Sequence, residues 1–222
     1  QGRSVEAQPL KAREMTIVLK QAIARQEQKL GVDHPEVITN CVQLAILYTS
    51  QGRYTEAEQF YKHVLAVVER KHGPNHPKVA SACNHLAGLC QTRGRFTEAE
   101  TLYKRAFTIV EQTLGTDHPD FAVTCNNLAT VNQALGQFEE SENFFKRAIF
   151  VGERSLGADH PGLAVAYRSL GELHLCQEKF SDAERLLRQA LETQTKKLAA
   201  DAPTIVHTQR SLAVALECQG HD

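Results

Sequence analysis

The sequence predicts an all-α fold, a solenoid of antiparallel helix pairs, and three observations predict it. A turn recurs four times at intervals of 42 residues: Gly31-Val32-Asp33-His34-Pro35, Gly73-Pro74-Asn75-His76-Pro77, Gly115-Thr116-Asp117-His118-Pro119 and Gly157-Ala158-Asp159-His160-Pro161. Between consecutive turns the apolar residues follow three- and four-residue steps twice, which is the period of two amphipathic helices. Small residues and large ones also keep fixed places within the period, as close-packed antiparallel helices require. A constant period of this size means one structural unit stacked along an axis, so function is expected on an extended surface rather than in an enclosed pocket.

Taken in order, residues 1–30 read as a helix of the second type, with Met15, Leu19, Ala22 and Ile23 at the apolar positions. Repeat 1 spans 33–73. Its first helix carries Val37, Ile38, Cys41, Leu44, Ala45, Leu47 and Tyr48, and Gln51-Gly52-Arg53 breaks it. Its second helix carries Tyr54, Ala57, Phe60, Tyr61, Val64, Leu65 and Val68 and stops at Gly73. Repeats 2 (75–115), 3 (117–157) and 4 (159–199) restate the pattern, and 201–222 supply only a first-type helix after a worn turn, Asp201-Ala202-Pro203. The whole of 1–222 therefore reads as a single array, cut at both ends from a longer protein. In the fourth repeat the helix-breaking glycine becomes Glu178, and in the fifth turn Ala199 and Ala202 replace the glycine and the histidine.

The packing code is visible without a structure. Ala45, Ala87, Ala129, Gly171 and Ala213 share one position of the first helix, and Ala57, Ala99, Ser141 and Ala183 one position of the second. Four residues after the latter come Tyr61, Tyr103, Phe145 and Leu187, which sets large side chains against small ones. In the turns, the Asp or Asn is expected to cap the following helix through its side-chain oxygen, with proline tolerated in the first turn. Asp33 with Glu36 and Asp117 with Asp120 resemble capping boxes.

Composition narrows the function classes. The formal net charge is −1 with both signs interspersed, so nothing at this level points to nucleic acid or an anionic membrane. No run approaches the roughly 20 apolar residues of a bilayer span, and Gln1-Gly2-Arg3-Ser4-Val5-Glu6 is not laid out as a signal peptide. A cytoplasmic protein is expected. Of the six cysteines, Cys41, Cys83 and Cys125 are repeat-equivalent, with Tyr167 and Gln209 next in the series. Equivalent positions stand on the order of 10 Å apart, beyond the roughly 7 Å limit for a disulfide, so these read as buried small hydrophobes. The four turn histidines fall on separate units and do not converge on one metal ion.

Leu114-Gly115-Thr116-Asp117-His118-Pro119, Asn126-Asn127-Leu128-Ala129, Arg95-Phe96-Thr97-Glu98-Ala99-Glu100 and Leu102-Tyr103-Lys104-Arg105-Ala106, set in a 42-residue period, resemble the tetratricopeptide repeat of the kinesin light chain type, also seen in nephrocystin-like proteins. The resemblance runs over about residues 12–220; it lacks the family's frequent early tryptophan, whose place Cys41, Cys83, Cys125 and Tyr167 take. It implies a right-handed α-solenoid whose first helices line a concave groove. Val42, Asn84, Asn126, Arg168 and Arg210 would form one ladder in it; Thr39, Ser81, Val123, Val165 and His207 a second; Ile46, Gly88, Thr130, Glu172 and Val214 a third.

The function this implies is a protein–protein interaction module, a cargo or scaffold adaptor holding an extended, acidic peptide segment. A carboxamide offers both a donor and an acceptor to an unpaired peptide unit, and guanidinium forks suit carboxylates. The peptide-binding residues expected are Asn84, Asn126, Arg168, Arg210, Ser81, Gln91, Thr130 and Gln133. The competing reading has Arg168 paired with Glu172 one helical turn away and the asparagines solvated. A second function class is a regulatory or self-associating sensor array, joined through its cut ends and attached to an effector outside this segment. Catalysis is not expected. Cys90, Cys176 and Cys218 with His85, His174 or His207 lack an orienting third group and an oxyanion site, and the sequence has no phosphate loop, HExxH or CxxC. No cofactor and no metal are implied.

Overall fold

The computed structural model describes residues 2–157, 160–196 and 202–220, with side chains at 12–157, 160, 162–196 and 202–220. Ten α-helices and no strand occur among the described residues. The chain divides into two units, Gln1–Ile109 and Val110–Asp222. The first holds α1 (Gly2–Leu30), α2 (Pro35–Ser50), α3 (Tyr54–His72), α4 (Pro77–Thr92) and α5 (Phe96–Thr113) up to Ile109. The second begins in the last turn of α5 and holds α6 (Pro119–Ala134), α7 (Phe138–Leu156), α8 (Pro161–Cys176), α9 (Phe180–Thr195) and α10 (Pro203–Cys218). Even-numbered helices are the first helices of the repeats and odd-numbered ones the second. The worn fifth turn at Asp201 and Ala199, and Ala158-Asp159 in the fourth, lie outside the described residues.

The first helices start differently from the expectation. Their caps are the histidines, not the Asp or Asn before them. His34, His76, His118 and His160 have extended backbones, and each Nδ1 accepts the amide two residues on: Glu36 at 3.3 Å, Lys78 at 3.2 Å, Asp120 at 3.1 Å and Gly162 at 3.2 Å. The reason is reach: Nδ1 is as many bonds from Cα as the Oδ1 of an Asp or Asn cap, and the prolines that follow fit the first helical position without losing an amide. The acidic residue instead ties the turn to its repeat's second helix. Arg70 donates to the Asp33 carboxylate, Lys71 donates to the Asp33 carbonyl at 2.7 Å, and Arg154 pairs with Asp117 at 3.4 Å. The capping boxes do not form: Glu36 accepts from Gln26 at 3.1 Å.

Within each repeat the two helices join by a tight turn. The amide after the glycine bonds back five residues, Arg53 to the Tyr48 carbonyl at 2.8 Å and Gln137 to that of Asn132 at 2.9 Å. This closure needs a left-handed residue, supplied by Gly52 at φ 72° and Gly136 at φ 77°. Glu178 stands in the same place at φ 58°, and Lys179 still bonds the His174 carbonyl at 2.9 Å, so the turn survives the loss of glycine at the expense of local strain.

The small-against-large code describes the cores. Ala45, Ala87 and Ala129 on the first helices and Ala57, Ala99, Ser141 and Ala183 on the second are all 0% exposed. Ser141 keeps its hydroxyl satisfied there by donating to the Ala129 carbonyl at 2.7 Å. In the second unit Phe145, Tyr167, Leu170, Leu173 and Leu186 pack into one apolar cluster, and Leu187 with Ala183 and Ala215 into the next. Each such large side chain contributes about 1.5–3 kcal/mol on burial. Neighbouring repeats are also pinned by a recurrent glutamate of the second helix. Glu58 accepts from Arg93 at 2.6 Å and Arg95 at 2.8 Å, Glu142 from Lys179 at 3.2 Å, and Glu184 from Gln219 at 3.1 Å. With Lys146 and Lys179 both on it, Glu142 is held down to about 2.

Candidate functional site

In each unit, two successive first helices diverge over the second helix between them and leave a groove. In the first unit it lies between α2 and α4, with Val64 and Val68 of α3 as its floor and a volume of about 230 Å³. In the second unit it lies between α6 and α8, floored by Ala148 and Gly152 of α7, with a volume of about 300 Å³. The two are built from the same repeat positions: Ile38 answers to Ala122, Thr39 to Val123, Val42 to Asn126 and Ser81 to Val165. The floors differ. Gly152 replaces Val68, and Leu163 of α8 leans over it so closely that a Cβ at 152 would stand 2.5 Å from Leu163 Cδ2.

The expected site residues divide between the units. Ser81, Asn84 and Gln91 are on α4 in the first. Ser81 is exposed on the groove rim, and Gln91 is half-buried with its Oε1 accepting the Tyr103 hydroxyl at 3.2 Å. Asn126, Thr130 and Gln133 are on α6, Arg168 on α8 and Arg210 on α10, all in the second. Asn126 lines its groove, and Thr130, half-buried, donates to the Asn126 carbonyl at 2.9 Å. Gln133 is half-buried and Arg210 exposed.

Asn84 and Asn126 are half-buried. Their Oδ1 atoms are out of contact with solvent and have no hydrogen-bond partner among the described residues. A buried acceptor left unpaired costs on the order of 1–3 kcal/mol, a cost removed when the carboxamide rotates to meet an incoming amide donor.

Arg168 partly follows the competing reading and adds a partner. Its Nη1 is 3.9 Å from Glu172 Oε1, the intrahelical pair, but only 2.8 Å from Nδ1 of His207 on α10. The same Nδ1 is 3.1 Å from Glu172 Oε1, and Ser211 donates to that oxygen at 3.0 Å. Arg168, Glu172 and His207 belong to three separate ladders of the repeat. That adjacent rungs would meet across α8 and α10 was implicit in the 42-residue register, since 207 is 39 residues after 168 and so one helical turn short of its equivalent.

Cys41, Cys83, Cys90 and Cys125 are buried free thiols, and burial pushes that of Cys41 up to about 11 and that of Cys125 to about 12, which suppresses the thiolate. Cys176 and Cys218 are free and exposed. His174 is 5% exposed and burial lowers its pKa, while His85 stacks on Tyr61 with centroids 5.8 Å apart. Among the described residues no three His, Cys, Asp or Glu are grouped to hold a metal ion, and no helix is long and apolar enough to cross a membrane.

Comparison with known proteins agrees with this architecture. A family model described as tetratricopeptide repeat matches residues 17–70, 38–112, 79–149 and 120–196. No curated protein sequence matches the chain. Among solved structures, BtubC (BKLC) from P. vanneervenii superposes with a TM-score of 0.77 at 21% identity over 97% of this chain and 84% of that one. Two structures of a candidate kinesin light chain with nearly identical tetratricopeptide-like repeats from Podospora anserina give TM-scores of 0.71. One is 24% identical and the other 26%; each aligns with 84% of this chain, and with 88% and 89% of its own.

Proposed function

Because the chain belongs to the tetratricopeptide repeat family, we propose that it is a protein-interaction module that holds extended peptide segments in the grooves between its first helices. The observation that carries this is Asn126. Its carboxamide oxygen lacks a partner while the residue lines an apolar groove of about 300 Å³. An extended chain has unpaired N–H and C=O groups at every residue, and a carboxamide answers both. In the first unit Asn84 has the same partnerless oxygen, while Val42 takes the groove position that Asn126 holds in the second. Arg168 and exposed Arg210 supply guanidinium forks on the next two first helices, so the preferred segment carries carboxylates. The role is that of a cargo or scaffold adaptor, in keeping with the kinesin light chain-like proteins it resembles in fold, and the segment acts in the cytoplasm.

A peptide-display selection tests this, run on the wild-type chain and on an Asn84→Ala, Asn126→Ala, Arg168→Ala variant whose fold is checked by thermal melting. Acidic peptides enriched only by the wild type support the groove. Equal enrichment by both proteins, or none, rejects it.

One observation favours self-association as a second reading. Met15 is 56% exposed, at the repeat position where Ala57, Ala99, Ser141 and Ala183 are wholly buried, and Ile17 and Val18 beside it are 56% and 61% exposed. Sedimentation of the wild type and of Met15→Glu decides it: a concentration-dependent oligomer that the variant loses supports the reading, and a monomer at all concentrations removes it.

A further inference from the structure

We propose that His207 is a proton-operated latch on Arg168: unprotonated, its Nδ1 accepts from Arg168 and holds the guanidinium against α10; protonated, its Nδ1–H turns to Glu172 and frees Arg168 for a carboxylate of the bound chain. The proposal rests on the groove reading above for its consequence, but not for its mechanism.

The mechanism follows from one atom with two suitors. Arg168 Nη1, a donor, is 2.8 Å from His207 Nδ1, and Glu172 Oε1, an acceptor, is 3.1 Å from the same nitrogen. A ring nitrogen either carries a proton or offers a lone pair, so it serves only one of them at a time. Accepting from Arg168 requires the lone pair, the tautomer with the ring proton on Nε2. A proton added at Nδ1 reverses both interactions at once. The lone pair that held Arg168 is gone, two cations stand in contact, and the carboxylate gains a charge-assisted donor.

The surroundings make the second state accessible. His207 is 56% exposed, so its protons exchange with solvent, whereas Arg168 and Glu172 are 20% and 29% exposed, where charge is felt more strongly than at the open surface. Ser211 donates to Glu172 Oε1 at 3.0 Å in line with the next turn of α10, which keeps the carboxylate in place in either state. Arg168 is incompletely satisfied when latched, because its Nε is buried and without an acceptor among the described residues. The charged groups placed about His207 are Arg168 and Glu172 from α8 and, on its own helix, Arg210. Release of Arg168 adds one charge-assisted contact for a peptide carboxylate, about a tenfold gain in affinity.

The test uses the full chain with arginine side chains labelled for NMR, followed together with the His207 ring signals over one interval of acid addition. The Arg168 Nε–H resonance is expected to move together with the His207 ring signals in the wild type and to stay fixed in His207→Gln. An Arg168 signal that is flat while His207 titrates, or that moves equally in the variant, overturns the latch. Binding of an acetylated hexaglutamate probe is then expected to tighten about tenfold over the same interval in the wild type and to lose that gain in both His207→Gln and Arg168→Gln. A gain that persists in Arg168→Gln is a general charge effect and counts against the proposal. If the probe does not bind at either pH while the NMR coupling holds, the latch stands and the groove reading falls.

Discussion

Gly171 offers a prediction in which two familiar effects oppose each other. It lies within α8, where the other first helices carry Ala45, Ala87, Ala129 and Ala213. Replacing a mid-helix glycine by alanine ordinarily stabilises by about 0.5–1 kcal/mol through backbone entropy. At this site a Cβ would stand 2.8 Å from Leu187 Cγ, 3.1 Å from its Cδ2 and 3.4 Å from the Ala183 carbonyl oxygen. Leu187 and Ala183 are both 0% exposed, and the obstructing atom is the branch point of the leucine rather than a methyl tip, so rotation alone does not clear it. Overpacking of this kind costs about 1–3 kcal/mol. The steric cost therefore cancels or exceeds the entropic gain, and Gly171→Ala is expected to destabilise by up to about 2 kcal/mol.

Gly88 is the internal control. It is also mid-helix, in α4, but the nearest atom to its missing Cβ is the Tyr103 hydroxyl at 3.7 Å, an ordinary contact. Gly88→Ala is expected to stabilise by about 0.5–1 kcal/mol. The assay is urea unfolding, accompanied by hydrogen exchange of α8 and α9 because repeat arrays do not always unfold in one step. A Gly171→Ala protein as stabilised as Gly88→Ala would refute the packing argument. In Leu187→Ala the obstruction is gone, so adding Gly171→Ala to it should stabilise, reversing the sign of the substitution.

Three further outcomes follow from the turns and the buried histidine. His118→Ala should cost about 1 kcal/mol in urea unfolding by freeing the Asp120 amide, while His118→Asn, whose oxygen has the same reach, should retain most of that; equal loss in both would contradict capping by Nδ1. Glu178→Gly should gain about 1 kcal/mol, since φ 58° suits glycine, and a loss would show that the side chain stabilises the turn. Burial lowers the pKa of His174, so the unfolded chain takes up the proton first as the pH falls below about 6.5, and its contribution to stability shrinks from there down to the depressed folded value. Glu142, held at about 2, does not titrate in that window. His174→Asn, the residue repeat 3 carries at Asn132, should flatten the decline seen by thermal melting between about pH 7 and about pH 5, and an unchanged slope would exclude His174 as its source.

Helix order, helix type and the small-large interlock were legible in the sequence because each is written in the spacing of apolar residues, and a 42-residue period repeats the message. The Asp-His-Pro turn was legible as a helix start but not in its atoms. Asp33 and His34 both have the chemistry of a cap, and only the chain direction at the turn decides which side chain faces the free amides. The unpaired oxygens of Asn84 and Asn126 could not be read either, since a sequence pattern says which helix face a residue occupies and nothing of whether a partner reaches it. The 42-residue register puts Arg168, Glu172, His207 and Ser211 close together on α8 and α10, but which atoms pair depends on side-chain rotamers that spacing does not fix.

The central claim is that the first helices carry the binding surface, and photo-crosslinking tests it most directly. Acidic peptides selected by the wild-type chain, each bearing a photoreactive side chain at a different position, would be irradiated in the complex and the linked residues mapped by mass spectrometry. The account predicts links to α4, α6 and α8, concentrated near Asn84, Asn126 and Arg168 and lost when peptide without the label is added in excess. Links confined to the second helices α3, α7 and α9, or unaffected by competition, would contradict it.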